Sequence, residues 1–428
     1  MTNIDERRVD EQLVDAATFR DENFYALFAH LRRTAPVHWT TGRNGAHFWS
    51  VFKHADVKRV LHEGVLFSSE IDGVMPIMDE ELREANRDAF GPGEMLIAID
   101  PPRHGKFREL VSAPFMPNAL LDTTAIKTDL IKKIFDGLPA DGVIDLVDDL
   151  AAKIPMTIIA DILGLPQERC DDLLAWGKMA LTASDPEYSG GDAAATTAAG
   201  IAHIRDCVRD LAMPRRGCPH ADALSSLANG TIDGQQLTES EIVQNGTLMI
   251  LAGFETTRNS FSGGLLALLQ HPQQMQRLRA DPKLVRRAVE EMVRWSNPVI
   301  TLGRVATADT TIGAQAIKAG ERVVVWLASA NRDETVFTNA DSFDVTRSPN
   351  PHLGFGFGPH TCLGGPLARL ELRVALEELL ARYEGFEMVG TPERTQTNFV
   401  GGLKRFPIRL IGRKAGAMHN TLAVSGRD

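Results

Sequence analysis

Apolar positions along the chain recur mainly at helical spacing, so the pattern predicts a protein built mostly from α-helices. The longest of these runs opens at Thr238-Glu-Ser-Glu241, a capping-box pattern, and continues to about Leu269, just before His271-Pro272. Its middle, LMILAGF at 248–254, is apolar on every side, which is typical of a helix buried at the centre of a protein. We therefore predict a central helix roughly 45 Å long.

A second helix is bounded by Asp281-Pro282, which suits an N-cap followed by the first helical position, and by Pro298. Between the helical patterns lie short strand-like pieces such as ERVVVWL at 321–327. The predicted fold class is therefore mostly α with small β-sheets, that is, α+β. We expect a single domain over residues 1–428, with frayed tails at about 1–15 and 414–428 and a mobile connection at 183–200.

Composition narrows the choice of partner and compartment. The 428 residues carry a net charge of −10, from 46 basic and 56 acidic side chains, which argues against general nucleic-acid binding. No apolar run is long enough to span a membrane, and the N-terminus lacks the apolar core of a secretory signal. The four cysteines form no CxxC pair, consistent with a reducing compartment. We expect a cytoplasmic protein without a nucleic-acid or membrane partner.

The strongest chemical signal is the segment HLGFGFGPHTCLGG at 352–365, in which closely spaced glycines allow a tightly turned loop. Cys362 stands just before an amphipathic helical pattern, where the free N–H groups and the helix dipole favour a thiolate. A thiolate is the electron-donating ligand that iron needs for O–O cleavage. The residues alone also allow a small buried cysteine and a plain glycine hairpin. They lack the partner ligands of a zinc site and the GxxxxGKS/T pattern of a phosphate loop.

The stretch Phe355-Gly-x-Gly358-x-His360-x-Cys362-x-Gly364 resembles the haem-binding signature of the cytochrome P450 family at every usual position. The resemblance extends from about residue 20 to residue 410. It implies the fold of that family, with haem b held between the central helix and the helix that follows the cysteine loop. It also implies that Cys362 binds the iron and that Phe355, His360 and Gly364 belong to the haem-binding loop. The expected activity is that of a monooxygenase, which inserts one oxygen atom of O2 into a small, largely apolar organic substrate.

The central helix carries Ala252 and Thr256 four positions apart, so they share a face on which a flat cofactor and a diatomic ligand can approach. The Thr256 hydroxyl can bond to the carbonyl of Ala252 and open a groove. Glu255 is costly in an apolar helix unless it is paired or functional. The alternative is an ordinary mid-helix threonine beside a glutamate in a polar pocket. The segment resembles the acid–alcohol pair of the family, which implies that Ala252 lies at the cofactor and that Glu255 and Thr256 relay protons. Many members carry Asp where this chain has Glu255.

The helix after Pro282 has an apolar stripe with Glu291 at its edge and Arg294 three residues on, which predicts a buried pair. A solvated surface pair is the alternative. The resemblance implies an ExxR pair here, with Arg347 as a third partner and a structural rather than catalytic role. It also implies basic partners for the two haem propionates. The candidates are His104, Arg108, Arg304 and His352.

The resemblance places the substrate pocket over the haem face opposite the cysteine. The candidate lining is mostly apolar, as in most small-molecule pockets. It comprises Val74, Met75 and Ile77 within 74–78, Leu251 beside Ala252 and Glu255, Val299, Ile300 and Leu302 within 299–302, and Val400 with Phe399. A terpenoid, polyketide or lipid-like compound fits, as in bacterial secondary metabolism. The segment 71–98 also carries Asp79, Glu80, Glu81 and Glu84, which we interpret as solvated charge.

The cysteine side of the haem is expected to expose a basic patch of Arg103, Lys106, Arg369 and Arg373. Similar bacterial enzymes dock an acidic ferredoxin on this side, so a separate ferredoxin and ferredoxin reductase are the expected electron donors. A solvated face without a docking role is the alternative. Two other activities stay open from the sequence: epoxidation or oxidative coupling with the same cofactor, and a haem-binding protein without turnover.

Overall fold

Helices dominate the part of the chain that the computed structural model describes, residues 8–75, 79–80 and 93–413. Most follow the predicted pattern, with an apolar stripe turned inward and charged positions turned to solvent. The helices are α1 (Val9–Val14), α2 (Phe24–Thr34), α3 (His54–His62), α4 (Arg103–Ser112), α5 (Pro117–Asp136), α6 (Lys153–Leu163), α7 (Cys170–Thr182), α8 (Ala193–Ala212), α9 (Ala223–Asn229), α10 (Glu239–Gln270), α11 (Pro272–Ala280), α12 (Val285–Ser296), α13 (Leu327–Ala330) and α14 (Gly365–Arg382).

The predicted central helix is α10, and the structure confirms its bounds. The Thr238 side chain accepts from the Glu241 N–H, while the Glu241 carboxylate accepts from the Thr238 N–H, so the predicted capping box is formed. Helices α6, α8 and α12 pack around it. A Cβ on Gly264 would lie 2.5 Å from the Met292 side chain, so glycine is needed there for close packing against α12.

The second predicted helix is also present. Asp281 accepts from the Lys283 N–H, the first turn over Pro282–Leu284 is a 3-10 turn, and α12 follows it. Asn297 then adopts a left-handed conformation with φ 40°, which ends the helix before Pro298 as predicted.

Small sheets complete the fold, as expected from the strand-like pieces. A five-stranded sheet has the order β1-β2-β10-β7-β3, and a three-stranded sheet has the order β11-β14-β4. The segment predicted as ERVVVWL forms β10, which pairs antiparallel with β7 and parallel with β2. The strands are β1 (Val37–Thr41), β2 (His47–Val51), β3 (Phe67–Ser68), β4 (Gly142–Asp145), β5 (Thr231–Ile232), β6 (Gln235–Gln236), β7 (Thr301–Ala306), β8 (Thr310–Ile312), β9 (Gln315–Ile317), β10 (Arg322–Trp326), β11 (Tyr383–Met388), β12 (Glu393–Arg394), β13 (Leu403–Arg405) and β14 (Pro407–Arg413).

Two expectations about loose segments need correction. Residues 183–200 are not a loop throughout, because α8 begins at Ala193 with Asp192 as its N-cap, and alanine favours helix. The turn before α8 is anchored by Asp185, which is buried and bound to Lys404 at 3.3 Å. The expected frayed start does not extend to residue 15, because α1 packs Leu13 into an apolar cluster. Residues 1–7 and 414–428 lie outside the described part of the chain. None of the helices within the described residues is long and apolar enough to cross a membrane.

Candidate active site

The cysteine loop is shaped by its glycines and by its contact with α3. Gly356 and Gly358 have φ of 70° and 73°, a conformation that favours glycine. A Cβ on Gly358 would lie 2.7 Å from the backbone of His62, so the loop also needs glycine to pack against the end of α3. The Cys362 N–H donates to the Phe355 carbonyl at 2.8 Å, and α14 begins three residues later. The loop therefore holds Cys362 just before a helix N-terminus, as predicted.

The Cys362 side chain is accessible but lies deep within the fold, and burial raises the pKa of its thiol. The backbone N–H groups of Gly364 and Gly365 and the charges of Arg108 and Arg369 lower that pKa. The expected helix effect is thus present but does not outweigh burial. A thiol in such a place becomes a thiolate when a metal ion binds it and displaces the proton.

A group of basic side chains lies beside the cysteine. The rings of His104 and His360 are 4.1 Å apart, and Arg304 and Arg108 are close enough to lower the pKa of His360. Burial comes first among the causes that set the pKa of His360 to about 2 and that of His104 to about 4. Arg304 is buried as well, and burial lowers its pKa to about 10. The structure therefore brings three of the predicted propionate partners together with His360.

The fourth predicted propionate partner, His352, is not part of this group. Its Nε2 lies 3.0 Å from Glu290 Oε2, and its Nδ1 accepts from the Gly354 N–H at 3.2 Å, so both ring nitrogens are engaged. Glu290 also binds Arg369 at 2.7 Å. Burial opposes ionisation of Glu290, but the hydrogen bonds from His352 and Arg369 prevail and lower its pKa to about 2. The role of His352 as a propionate partner stays a prediction, and its pairing with Glu290 was not foreseen, because position along the chain does not show which acid faces an imidazole.

These residues fit haem b. Cys362 offers a sulfur ligand for iron, which suits a soft metal site. Arg108 and Arg304 have no carboxylate at ion-pair distance within the described residues, although the charge of Asp100 raises the pKa of Arg304 from further away. An anionic group such as a propionate would balance their charge. His104 Nε2 is buried without a hydrogen-bond partner among the residues that the structure describes. Such an unpaired buried atom is costly unless a ligand satisfies it.

The central helix has the predicted groove-forming bond. The Thr256 hydroxyl donates to the Ala252 carbonyl at 2.9 Å. Ala252 is exposed although its neighbours Leu251 and Phe254 are buried, so the helix borders open space at this point. Glu255 is buried and is paired with Arg258 and with the Asn259 amide at 3.0 Å. The pairing of Glu255 with Arg258 was not predicted, although the i, i+3 spacing of opposite charges in a buried helix was a usable signal.

The predicted structural cluster is formed and buried. Arg294 Nη2 lies 2.7 Å from Glu291 Oε1, and both side chains are fully buried. Arg347 Nε is 3.1 Å from Glu291 Oε2. Arg294 also donates to the backbone carbonyls of residues 331, 340 and 342, so hydrogen bonds from the protein compensate for the burial of its charge. The cluster joins α12 to the segment before the cysteine loop, a geometry that supports the fold rather than chemistry.

Three segments of the predicted pocket wall are hydrogen-bonded to one another. The Gly303 N–H donates to the Val74 carbonyl at 2.8 Å, and Val299 and Val400 form an isolated β-bridge. Met75, Val299 and Leu302 are half-buried, while Val74, Leu251 and Val400 are buried. Ile300 is also buried, and it packs into the apolar cluster that contains Phe28, Val324 and Trp326. Ile77 lies outside the described residues.

The acidic residues near the pocket are partly paired rather than simply solvated. Asp79 accepts from the Asn44 amide at 3.0 Å, and Glu80 forms an ion pair with Arg322 at 2.9 Å. Glu81 and Glu84 lie outside the described residues.

The expected basic patch on the cysteine side is largely neutralised. Arg103 pairs with Glu241, and Lys106 lies 2.7 Å from Asp233. Arg369 and Arg373 pair with Glu290 at 2.7 Å and with Glu377 at 2.9 Å. The patch was predicted from cations alone, and their acidic partners come from other helices, from a hairpin and from the next turn of α14.

A mostly helical fold holds one cysteine at a helix N-terminus, beside Arg108 and Arg304, which have no carboxylate ion-pair partner in the described part of the chain. This arrangement suits a haem-thiolate protein. The family model for cytochrome P450 matches residues 204–407. Linalool 8-monooxygenase of Pseudomonas putida is 36% identical over 389 residues, covering 90% of this chain and 95% of that protein. A methyl-branched lipid omega-hydroxylase of Mycobacterium bovis is 35% identical over 395 residues, covering 89% and 90%. A Mycobacterium marinum cytochrome P450 solved in complex with pseudoionone superposes with a TM-score of 0.85 at 34% identity, covering 93% of this chain and 96% of that one.

The chain therefore belongs to the cytochrome P450 family. It is a cytochrome P450 monooxygenase, an oxidoreductase that binds haem b, and its fold is the α+β fold of that family. The predicted family, fold class, cofactor and enzyme class are confirmed.

Proposed function

We propose that Cys362 Sγ would bind the haem iron and that Ala252 and Thr256 of α10 border the space in which the monooxygenase reaction takes place. The observation that carries this proposal is a reachable sulfur at the start of α14 beside Arg108 and Arg304, two cations without an ion-paired acid in the described part of the chain. The haem, when bound, supplies the activation of dioxygen: one oxygen atom enters the substrate, and the other leaves as water with two electrons and two protons.

The basic group orients the cofactor. Arg108 and Arg304 would bind the propionates as charged donors, and His104 and His360, whose lowered pKa values keep them neutral, would donate one N–H each. Ser69 Oγ lies 3.3 Å from His360 Nε2, so this ring nitrogen is within hydrogen-bond reach of the protein itself. Phe355 and Gly364 complete the loop around the sulfur.

Glu255 and Thr256 supply the protons. The Thr256 hydroxyl is held by the Ala252 carbonyl, so its oxygen keeps lone pairs that can accept from a water or an acid. Glu255 is the only acid of this stretch of α10. General acid catalysis of this kind contributes about 10²–10⁴-fold to a rate.

The substrate is a small, largely apolar compound of the terpenoid or branched-lipid type, and the reaction is a hydroxylation. The wall built from Val74, Leu251, Val299, Leu302 and Val400 is aliphatic. The names of the similar proteins, which mention linalool, methyl-branched lipid and pseudoionone, support the same class.

Electrons come from a separate ferredoxin and ferredoxin reductase. Because the cations of the cysteine side are paired with acids, we propose that charge steering by them is modest and that contacts with the loop itself contribute to docking.

The test of the central assignment is spectroscopic. The ferrous carbonyl form should show the strongly red-shifted band of sulfur ligation, and Cys362→Ser should lose it while Cys207→Ser keeps it. With 18O2, reductase, ferredoxin and a panel of terpenoid and branched lipid substrates, one 18O atom should appear in a hydroxylated product. A carbonyl band without the red shift in the unchanged protein would refute the assignment of the ligand.

A further inference from the structure

A buried side-chain amide connects the first half of α10 to the segment that precedes α4. Asn245 is 1% exposed, and its Oδ1 accepts from the Leu96 N–H at 2.8 Å. Its Nδ2 donates to the Glu94 carbonyl at 2.8 Å and to the Glu241 carbonyl, one turn back in the helix, at 2.7 Å. Both amide hydrogens and the amide oxygen are therefore used, and two of the three bonds hold the 93–98 segment.

The same segment has other bonds to its surroundings, but these are open to water. The exposed Ser240 hydroxyl donates to the Glu94 carboxylate, and Arg103, whose side chain is 40% exposed, donates to the Gly93 carbonyl at 2.6 Å. Water competes with exposed hydrogen bonds, whereas the loss of a buried bond leaves a backbone N–H or C=O unpaired. Asn245 therefore contributes most to fixing the segment on α10.

This fixed point lies on the side of α10 that borders open space. Leu248 and Ala252 follow Asn245 by three and seven residues, so the three residues share one face of the helix. Leu248 is partly buried and Ala252 is exposed, whereas Met249 and Ile250 between them are buried. At 1.5 Å per residue, Asn245 lies about 10 Å from Ala252 along the helix. The 93–98 segment therefore stands at one end of the space in which we propose that the reaction takes place.

One apolar side chain of the segment is less buried than its neighbours. Ile97 is partly buried at the centre of a 3-10 turn, whereas the residues on either side of it are buried: Met95, Leu96, Ala98 and Ile99. The chain continues into α4, which carries His104 and Arg108. This order places Ile97 between the open face of α10 and the basic group proposed for the propionates. Because Asn245 binds the N–H of the residue before Ile97, the orientation of the turn depends on that bond.

We propose that Asn245 is a positioning residue for the substrate: by holding the 93–98 segment on α10, it keeps Ile97 against the substrate and so sets which carbon is presented for oxidation. The inference rests on the proposed function, which places the reaction beside Ala252. Asn245 itself is buried and its amide is fully bonded, so it acts through the segment and not by contact with the substrate.

The experiment uses the haem-bound protein and four variants: Asn245→Leu, Asn245→Asp, Ile97→Ala and the double variant N245L/I97A. Leucine is close to asparagine in shape but makes no side-chain hydrogen bond. Gln244→Leu is the matched control, because Gln244 is a buried amide on the same helix whose Oε1 accepts from Arg205 of α8 at 2.8 Å.

Three measurements are made on each protein. Amide hydrogen exchange of peptides that cover residues 93–99 reports how firmly the segment is held. Absorbance titration of the ferric protein compares imidazole, which occupies little more than the iron, with 4-phenylimidazole, whose phenyl ring extends into the adjacent space. The ratio of product isomers reports which carbon is presented, for the member of the substrate panel that the unchanged protein hydroxylates best.

We expect Asn245→Leu to speed exchange in residues 93–99 at least about tenfold, as for the loss of two buried hydrogen bonds. It should weaken the binding of 4-phenylimidazole roughly fourfold, the equivalent of about one CH2 group of lost apolar burial, and leave the binding of imidazole unchanged. Ile97→Ala should weaken 4-phenylimidazole at least as much, and the double variant should be no weaker than Ile97→Ala. All three should change the product ratio, whereas Gln244→Leu should match the unchanged protein.

Faster exchange with unchanged 4-phenylimidazole binding and an unchanged product ratio would overturn the inference and leave Asn245 as a residue that only stabilises the fold. Fully additive effects of Asn245→Leu and Ile97→Ala would overturn it as well, because Asn245 would then not act through Ile97. Should Asn245→Leu not bind haem, Asn245→Asp takes its place, because it keeps an acceptor for the Leu96 N–H but repels the Glu94 carbonyl. The same changes should then appear at smaller size, and their absence would count against the inference.

Failure of the proposed function is a separate outcome. An unchanged protein that hydroxylated no member of the panel, or whose absorbance responded to neither azole, would contradict the proposed function itself. A variant series in which the unchanged protein responds normally and Asn245→Leu does not differ from it contradicts the role of Asn245 alone.

Discussion

Replacing Glu371 by Gln should flatten the dependence of stability on pH. Glu371 lies on α14, nine residues after the cysteine, and only 2% of it is exposed. Burial raises the pKa of its carboxyl from the ordinary 4.5 to about 8, with the charge of Lys127 on α5 acting in the opposite direction. A carboxyl whose pKa is raised by folding binds its proton more tightly in the folded state. Ionisation of Glu371 therefore lowers the free energy of unfolding. This loss of stability is absent below about pH 4.5, grows as the pH rises and is complete above about pH 8.

The magnitude follows from about 1.36 kcal/mol for each tenfold difference in proton affinity. The penalty is about 2 kcal/mol at pH 6 and reaches about 5 kcal/mol at pH 9. Glutamine carries no charge at pH 6 or at pH 9. The free energy of unfolding of Glu371→Gln, relative to that of the unchanged protein, should therefore rise by about 3 kcal/mol from pH 6 to pH 9. A chain of 428 residues has an unfolding entropy near 0.9 kcal/mol per kelvin, taking about 2.1 cal/mol/K per residue. The expected relative gain in Tm is therefore roughly 3 °C.

The assay is thermal unfolding of the haem-bound protein at pH 6, 7.5 and 9, followed by circular dichroism. Glu377→Gln is the matched control, because Glu377 lies on the same helix, is partly exposed and pairs with Arg373 at 2.9 Å. The difference in Tm between Glu371→Gln and the unchanged protein should widen steadily with pH, while Glu377→Gln shows no such trend. A difference that is constant or narrows with pH would refute the assignment of a raised pKa to Glu371.

Three further outcomes are expected. Thr256→Ala should keep haem and substrate binding but lower product per NADPH by at least about tenfold, the lost electrons appearing as hydrogen peroxide; an unchanged yield would contradict the relay. Glu291→Gln should lower the free energy of unfolding by about 3–5 kcal/mol, because it leaves the buried Arg294 charge without its partner. A loss of less than about 1 kcal/mol in denaturant unfolding would show that the cluster does not stabilise the fold. Arg108→Met should weaken haem retention in a transfer assay with apomyoglobin, while Lys106→Met on the same helix should not, since Lys106 already pairs with Asp233; equal losses would count against Arg108 as a propionate partner.

Local patterns in the sequence predicted the framework well. The capping box at Thr238, the N-cap at Asp281 and the strand at 322–326 are all in place, because caps and periodicity depend on residues within one or two turns. The thiolate loop was predictable for the same reason, since glycines, cysteine and helix start are consecutive. The back-bond from Thr256 to Ala252 and the pair of Glu291 and Arg294 also lie within one helix turn.

The sequence did not show which partner a side chain takes when the possible partners lie far apart in the chain. His352 is held by Glu290, 62 residues away, rather than standing beside His104 and Arg304. The basic patch loses its free charge to Asp233, 127 residues from Lys106. Ile300 follows the strand pattern of its neighbours but turns into a different apolar cluster.

The sequence alone thus determined the helices, the cysteine loop and the family, because each is encoded by neighbouring residues whose geometry the backbone dictates. The tertiary structure decided which charges are paired and which remain for a ligand: Arg108 and Arg304 have no carboxylate ion pair among the described residues, while Arg103 and Arg369 do. An ion pair between two elements depends on which of them face each other after packing, and spacing along the chain does not carry that information, whereas a pair within one helix such as Glu291 and Arg294 can be predicted from its spacing.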